Sequence, residues 1–166
     1  MSYVHSFPPI ASERSRVLIL GTMPGIASLR AGQYYAHPQN LFWRIMATIL
    51  GFDPAQPYPS RVEAVRSAEI AVWDVLKSCT RASSLDSAIV GSSIVPNDLP
   101  TFLAAHPHLR RVCFNGAKAE ALYTRYVRPH LAHVPAIEYL RLPSTSPANA
   151  SVPRADKLRA WQAIRL

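Results

Sequence analysis

An α/β sandwich built on a mostly parallel sheet is the fold class this sequence predicts. Four short aliphatic segments recur along the 166 residues, each preceded or followed by a stretch with helical spacing. Several of them are apolar through their length rather than alternating, as strands covered on both faces are. The composition, 49% hydrophobic and 17% charged, is that of an ordinary globular domain.

The first strand is "RVLIL", Arg16 to Leu20, closed by Gly21. In "LFWRIMATIL", Leu41, Phe42, Ile45, Met46, Ile49 and Leu50 fall on one stripe of a helix that Gly51 ends. "PAQPYP", Pro54 to Pro59, is a connector, and a helix is expected over Ser60 to Ala68. The second strand is "AEIAVWDV", Ala68 to Val75, followed by a helix over Pro96 to His106. "LRRVCFN", Leu109 to Asn115, leads into a helix over Ala117 to Tyr126. "AIEYLRL", Ala136 to Leu142, is followed by a helix over Pro153 to Ile164. No repeat and no change of composition divides the chain, so residues 1–166 are expected to form a single domain. Fifteen prolines imply stiff, defined loops.

Eighteen Lys and Arg against ten Asp and Glu give a net charge of +8, a field that attracts polyanions, with nucleic acid the first partner to consider. Two cysteines, Cys79 and Cys113, form neither a disulfide framework nor a Cys-x-x-Cys pair, so no zinc or iron–sulfur site, and no metal or cofactor, is expected. "SYVHSFPPI", Ser2 to Ile10, lacks an apolar stretch of signal-peptide length, and no run approaches a membrane span. A cytoplasmic protein without membrane contact, acting as a monomer, is the expectation.

Ligands of open parallel sheets bind beyond the carboxyl ends of the strands, which directs attention to the loops after Leu20, Val75, Phe114 and Leu142. The first begins "GTMPG", whose glycines allow tight turns and close approach of a ligand to the main chain, without the spacing of a dinucleotide or Walker loop. It continues into "GQYYAHPQN". Asn40 there suits a helix cap. Tyr34 and Tyr35, with His37 and Pro38, offer flat faces for a base or fill the core. "LPSTSPAN", Leu142 to Asn149, crowds hydroxyls and prolines into a stiff loop suited to holding phosphate, or to capping the next helix. Asn115 can read a base edge through its amide or satisfy local backbone. Asp74 can orient a neighbour or pair with Arg81, while Lys118, Arg125 and Arg128 read as a solvated face.

These stretches together, "SFPPIASERSRVLILGTMPGIASLRAGQYYAHPQNLFW", "WDVLKSCTRASSLDSAI", "FNGAKA" and "LPSTSPAN", span nearly the whole chain. In order and position they resemble the hypoxanthine-DNA glycosylase branch of the uracil-DNA glycosylase superfamily. The resemblance implies a three-layer α/β/α sandwich around a four-stranded parallel sheet. It also implies a monofunctional enzyme that flips a deaminated base out of DNA, hypoxanthine from deoxyinosine before others, and hydrolyses its N-glycosidic bond for base excision repair. Asn40 matches the catalytic asparagine of that branch, positioning water and stabilising the sugar. Gly21, Thr22, Met23, Pro24, Gly25, Tyr35, His37 and Asn115 are expected in the base pocket, with Tyr35 stacked on the base. Ser144, Thr145, Ser146, Pro147, Ala148 and Asn149 match the loop that pinches phosphates, Pro147 and Ala148 being its wedge. Related mismatch-specific uracil glycosylases carry an asparagine where Met23 stands, so the amide of that branch is missing here. The alternatives are uracil removal on the same fold, a non-catalytic nucleic-acid-binding module, and a small-molecule nucleotide hydrolase. His37, Asp74 and Asn115 are each eligible to help the base depart.

Overall fold

The computed structural model describes residues 2–132 and 136–166. Along the chain run β1 (Ser2–His5), β2 (Val17–Gly21), α1 (Ile26–Ala31), α2 (Phe42–Leu50), α3 (Tyr58–Ser67), β3 (Ile70–Asp74) and β4 (Leu76–Arg81). They are followed by β5 (Val95–Pro96), α4 (Leu99–Ala105), β6 (Arg111–Asn115), α5 (Ala117–Tyr126), β7 (Glu138–Leu142) and α6 (Arg154–Trp161). Strands β3, β2, β6 and β7 pair in that order, all parallel.

The four aliphatic segments read from the sequence are these four strands. Alternate side chains of β2 enter opposite clusters. Val17 and Ile19 pack with Phe42, Met46, Val65 and Trp161 of α2, α3 and α6. Leu18 and Leu20 pack with Leu99, Phe102, Leu122 and Tyr123 of α4 and α5. Helices therefore cover both faces, which is why β2 is buried at every position. Parallel register aligns the strand ends: Gly21 stands opposite Asp74, Leu20 opposite Phe114, and Asn115 opposite Leu142. One edge of the sheet thus presents every loop that the sequence marked.

Helix α2 buries Phe42, Ile45, Met46 and Ile49 of its expected stripe, and Gly51 closes it with a left-handed φ of 78°. The connector is shorter than expected, because α3 begins at Tyr58 with Pro59 in its first turn, where a missing N–H costs nothing. The next helix begins later than expected, at Leu99, behind an Asp98 side chain that accepts from Thr101 N. Two features depart from the sequence reading. Helix α1 stands within the first loop. And β1, β4 and β5 form a second, antiparallel sheet in the order β1-β4-β5.

Strand β3 passes into β4 across the single residue Val75, so the two sheets meet at the end of Asp74. Buried Asn97 holds that seam, its Nδ2 donating to Asp74 O at 2.8 Å and Leu76 O at 3.1 Å. Asn97→Ala strands these buried carbonyls, and a stability loss of about 1–3 kcal/mol is expected in urea unfolding. An unchanged midpoint would show that the seam does not need this amide.

Candidate active site

Beyond the carboxyl ends of the parallel strands lies a cleft of about 990 Å³. Gly21 to Gly25, Tyr35, His37, Asn40, Asn115 and Ser144 to Asn149 all line it. Residues from the two ends of the chain are therefore neighbours here.

The walls are tied together through Thr145, which is buried. Asn115 Nδ2 donates to Thr145 Oγ1 and Asn115 Oδ1 accepts from Thr145 N, both at 3.0 Å. Thr145 O accepts from Leu41 N, also at 3.0 Å, joining the "STSPAN" loop to the start of α2 beside Asn40. The amide of Asn115 is thus committed to the loop at both ends. Gly116 follows it with φ 96° and ψ 164°, a conformation open essentially to glycine alone. A Cβ there would stand 3.1 Å from Ser144 Cβ.

The loop from Ser144 to Asn149 is ordered by its own side chains. Ser144 Oγ accepts from Ser146 N, and Ser146 Oγ accepts from Ala148 N, both at 3.2 Å. Asn149 Nδ2 donates to Ser144 O. From α6, buried Lys157 donates to Asn149 O at 2.7 Å and Trp161 Nε1 donates to Pro143 O at 2.9 Å. With its base fixed, the loop leaves Pro147 and Ala148 exposed at its tip.

Asn40 stands one residue ahead of Leu41, the N-cap position of α2, and serves the first turn in the way its type suggests, with Oδ1 accepting from Phe42 N at 2.9 Å. This engages the oxygen, and Nδ2 makes no hydrogen bond among the described residues. The two tyrosines separate. Tyr34 is a core residue, its hydroxyl donating to Pro8 O and its carbonyl accepting from Trp43 Nε1. Tyr35 adopts φ 54°, a left-handed conformation rare for an aromatic residue, and stacks one face on Phe42 at 4.1 Å between centroids. Exposed His37 accepts from Gln39 N through Nδ1.

At the floor, Asp74 is buried, and among the described residues its Oδ2 has no hydrogen-bond partner. Tyr35 Oη and Thr22 Oγ1 are orphaned in the same way, three polar groups with unmet demand in one cleft. Gly21 makes this convergence fit, since a Cβ there would meet Asp74 Oδ1 at 2.5 Å and Tyr35 Oη at 2.7 Å. Burial, reinforced by the like charge of Asp86, pushes the Asp74 carboxyl up to about 7 against the pull of Arg81. Burial also raises Asp86, which Arg81 and Lys118 pull back. Among the described residues Arg81 makes no ion pair with Asp74 within 4 Å. It is buried, and its NH2 donates to Pro24 O, holding the "GTMPG" loop from beneath.

Asp86 and Lys118 line the cleft although the sequence reading did not place them there. Lys118 is exposed, as expected, but its solvated position is on the rim of the cleft, whereas Arg125 and Arg128, also exposed, lie over Tyr126 and Tyr139. The available signal was the scarcity of carboxylates in so basic a chain. Among the described residues no group of three or more His, Cys, Asp or Glu is placed to hold a metal ion. No helix among them is long and apolar enough to cross a membrane.

The family model described as "Uracil DNA glycosylase superfamily" matches residues 8–165. A protein named hypoxanthine DNA glycosylase from Methanosarcina barkeri is 40% identical over 114 residues, 68% of this chain and 71% of its own. One of the same name from Methanosarcina acetivorans is 33% identical over 159 residues, 95% of each chain. The solution NMR structure of a candidate uracil DNA glycosylase from Methanosarcina acetivorans matches with a TM-score of 0.79 at 30% identity, over 98% of this chain and 99% of that one.

A carboxyl raised on folding contributes stability that is fully present below its unfolded value and is lost as pH rises through its folded one. Asp74 therefore lowers stability progressively from about pH 4 to about pH 7. Asp74→Asn, of the same shape but without charge, is expected to melt above wild type at pH 8 and to converge with it in acid. A melting difference independent of pH would contradict this account.

Proposed function

The chain belongs to the uracil DNA glycosylase superfamily, and on that footing we propose that it is a monofunctional, single-domain DNA glycosylase. It removes a deaminated base, hypoxanthine from deoxyinosine first among them, and leaves an abasic site for base excision repair. The observation that carries the reading is the convergence on one cleft of the Asn40 amide, Tyr35 and the exposed Pro147–Ala148 tip. The two hypoxanthine DNA glycosylases to which the chain is similar support the choice of base.

A base within a duplex is out of reach, so the nucleotide must turn out of the stack, at a cost of a few kcal/mol that is least for damaged or mismatched bases. Pro147 and Ala148 enter the space it leaves. Tyr35, backed by Phe42, presents an aromatic surface to the base. The sugar becomes oxocarbenium-like as the bond breaks, and the departing base takes the electron pair. Asn40, its oxygen fixed by the cap, turns Nδ2 toward the deoxyribose and holds the attacking water. A neutral amide cannot act as a base at pH 7, so its contribution is orientation and electrostatic stabilisation. Ser144 and Ser146, at the mouth of the cleft, supply hydroxyls to phosphate, while Thr145, turned inward, anchors the loop. The protein acts as a monomer on DNA, without a cofactor.

The test is incubation with duplexes bearing deoxyinosine, deoxyuridine or deoxyxanthosine, followed by alkaline scission at abasic sites. Release from deoxyinosine is expected to exceed the others, and release from deoxyuridine alone would transfer the reading to uracil. Asn40→Ala is expected to slow release about 10²–10³-fold with duplex affinity near wild type. Loss of the cap costs about 1 kcal/mol, which a melting curve separates from the chemistry. Undiminished release would reduce Asn40 to a cap. Duplex affinity is expected to fall with salt, at a logarithmic slope of about −0.9 per phosphate neutralised. An affinity indifferent to salt would remove DNA as the substrate.

A further inference from the structure

We propose that Asp74 is the general acid of base release, passing its carboxyl proton to N7 of the departing purine as the bond between the base and C1′ breaks. The inference rests on the glycosylase reading above and names the group that enables the base to leave.

The geometry singles out Asp74 from the other candidates. Asn115 is no acid, and both ends of its amide are committed to Thr145. His37 is exposed and takes a hydrogen bond at Nδ1 from Gln39 N. The Tyr35 phenol is raised by burial and then by Asp74, so it holds its proton more firmly than in water. Asp74 alone among them is a buried carboxyl on the cleft floor with an oxygen that no described residue satisfies. Only a glycine at position 21 lets it come so close to the main chain of the first loop.

Its surroundings keep the proton in place. Asp86, from the short turn after β4, faces Asp74 with a like charge. Arg81 opposes it from β4, and Tyr34 and Tyr35 face it from the loop after α1. Asp86 is itself raised by burial, but Arg81 and Lys118, from α5, draw it back toward the charged form, whereas Asp74 has Arg81 against both burial and the like charge of Asp86. A group that titrates at about 7 is protonated often enough at neutral pH to donate, and acidic enough to give the proton up.

The step balances. The electron pair of the C1′–N9 bond remains with the purine, the Asp74 proton neutralises it at N7, and the base departs as a neutral tautomer. Water at Asn40 adds to C1′ and releases a proton to solvent, from which the Asp74 carboxylate is reprotonated.

Single-turnover release from a deoxyinosine duplex, measured from about pH 5.5 to about pH 8.5, tests it. The wild-type rate is expected to fall as pH rises through about 7, toward tenfold per unit. Asp74→Asn is expected to be about 10²–10⁴-fold slower with that dependence gone, while still binding a duplex carrying uncleavable 2′-fluoro-deoxyinosine. If the carboxyl only hydrogen-bonds the base, asparagine retains most of the rate, and the inference fails. A second arm uses wild type alone, on a duplex containing 7-deaza-deoxyinosine, which has no N7 to protonate. Release at least about a hundredfold slower is expected, and an equal rate overturns the proposal whether or not the variant folds. If wild type releases no base from deoxyinosine at any pH, the glycosylase reading itself falls. If release occurs but neither arm responds, only the role of Asp74 falls.

Discussion

Three hydrogen bonds at Thr145 determine whether this molecule has a site. Asn115 grips it by side chain and backbone, and Leu41 N donates to its carbonyl, so the end of β6, the loop after β7 and the start of α2 meet at one residue. Each such bond is worth only about 0.5–1.5 kcal/mol to folding. Their value is geometric. Asn40 and the Pro147–Ala148 tip lie more than a hundred residues apart along the chain, and an active group displaced by about 1 Å can lose a hundredfold in rate. Strand register supplies the remaining alignment, since Gly21 and Asp74 are set side by side by main-chain pairing rather than by contacts of their own.

The floor of the cleft departs from the habits of the rest of the molecule. Elsewhere, Lys157 apart, charges among the described residues lie at or near the surface, in pairs such as Arg111 with Glu138 or Arg66 with Glu63. Here a carboxyl and a guanidinium are buried without pairing to each other, with an unpartnered phenol and hydroxyl nearby. Such groups weaken a fold and persist where they serve chemistry. The left-handed backbone of Tyr35 belongs to the same class of local cost. Asn97 at the seam and Arg81 beneath Pro24 are the fixtures that keep the region in shape.

The parallel sheet was legible because a strand buried on both faces writes itself as an unbroken aliphatic run, and β2 is such a strand. The antiparallel sheet was not. In β4 the buried positions include Ser78 and Arg81, whose burial depends on partners elsewhere, so "LKSCTR" shows no apolar face. Helix α1 is too short for its period to register. Among the site residues, Asn40 was marked by its place before an apolar helix, and the loop hydroxyls by their crowding. Tyr34 and Tyr35 were told apart only through the family resemblance, because adjacent rings are sorted by a backbone sign that composition does not carry. Asp74 was noticed only as one of several eligible groups, since its behaviour comes from burial and then from Asp86, twelve residues later and brought alongside by the turn after β4.

Charge is layered with depth in this cleft. Lys118 and Arg141 stand exposed at its lip, the latter shared with Glu120, whereas Asp74 and Asp86 occupy its interior. A polyanionic strand is drawn to the mouth by the first pair and met further in by whatever negative charge the second pair carries, which grows as pH rises. Only an uncharged heterocycle crosses from one zone to the other without electrostatic penalty. On the glycosylase proposal, such a pocket would sort a nucleotide into its parts, retaining phosphate outside and admitting the base, before any atom of that base is read.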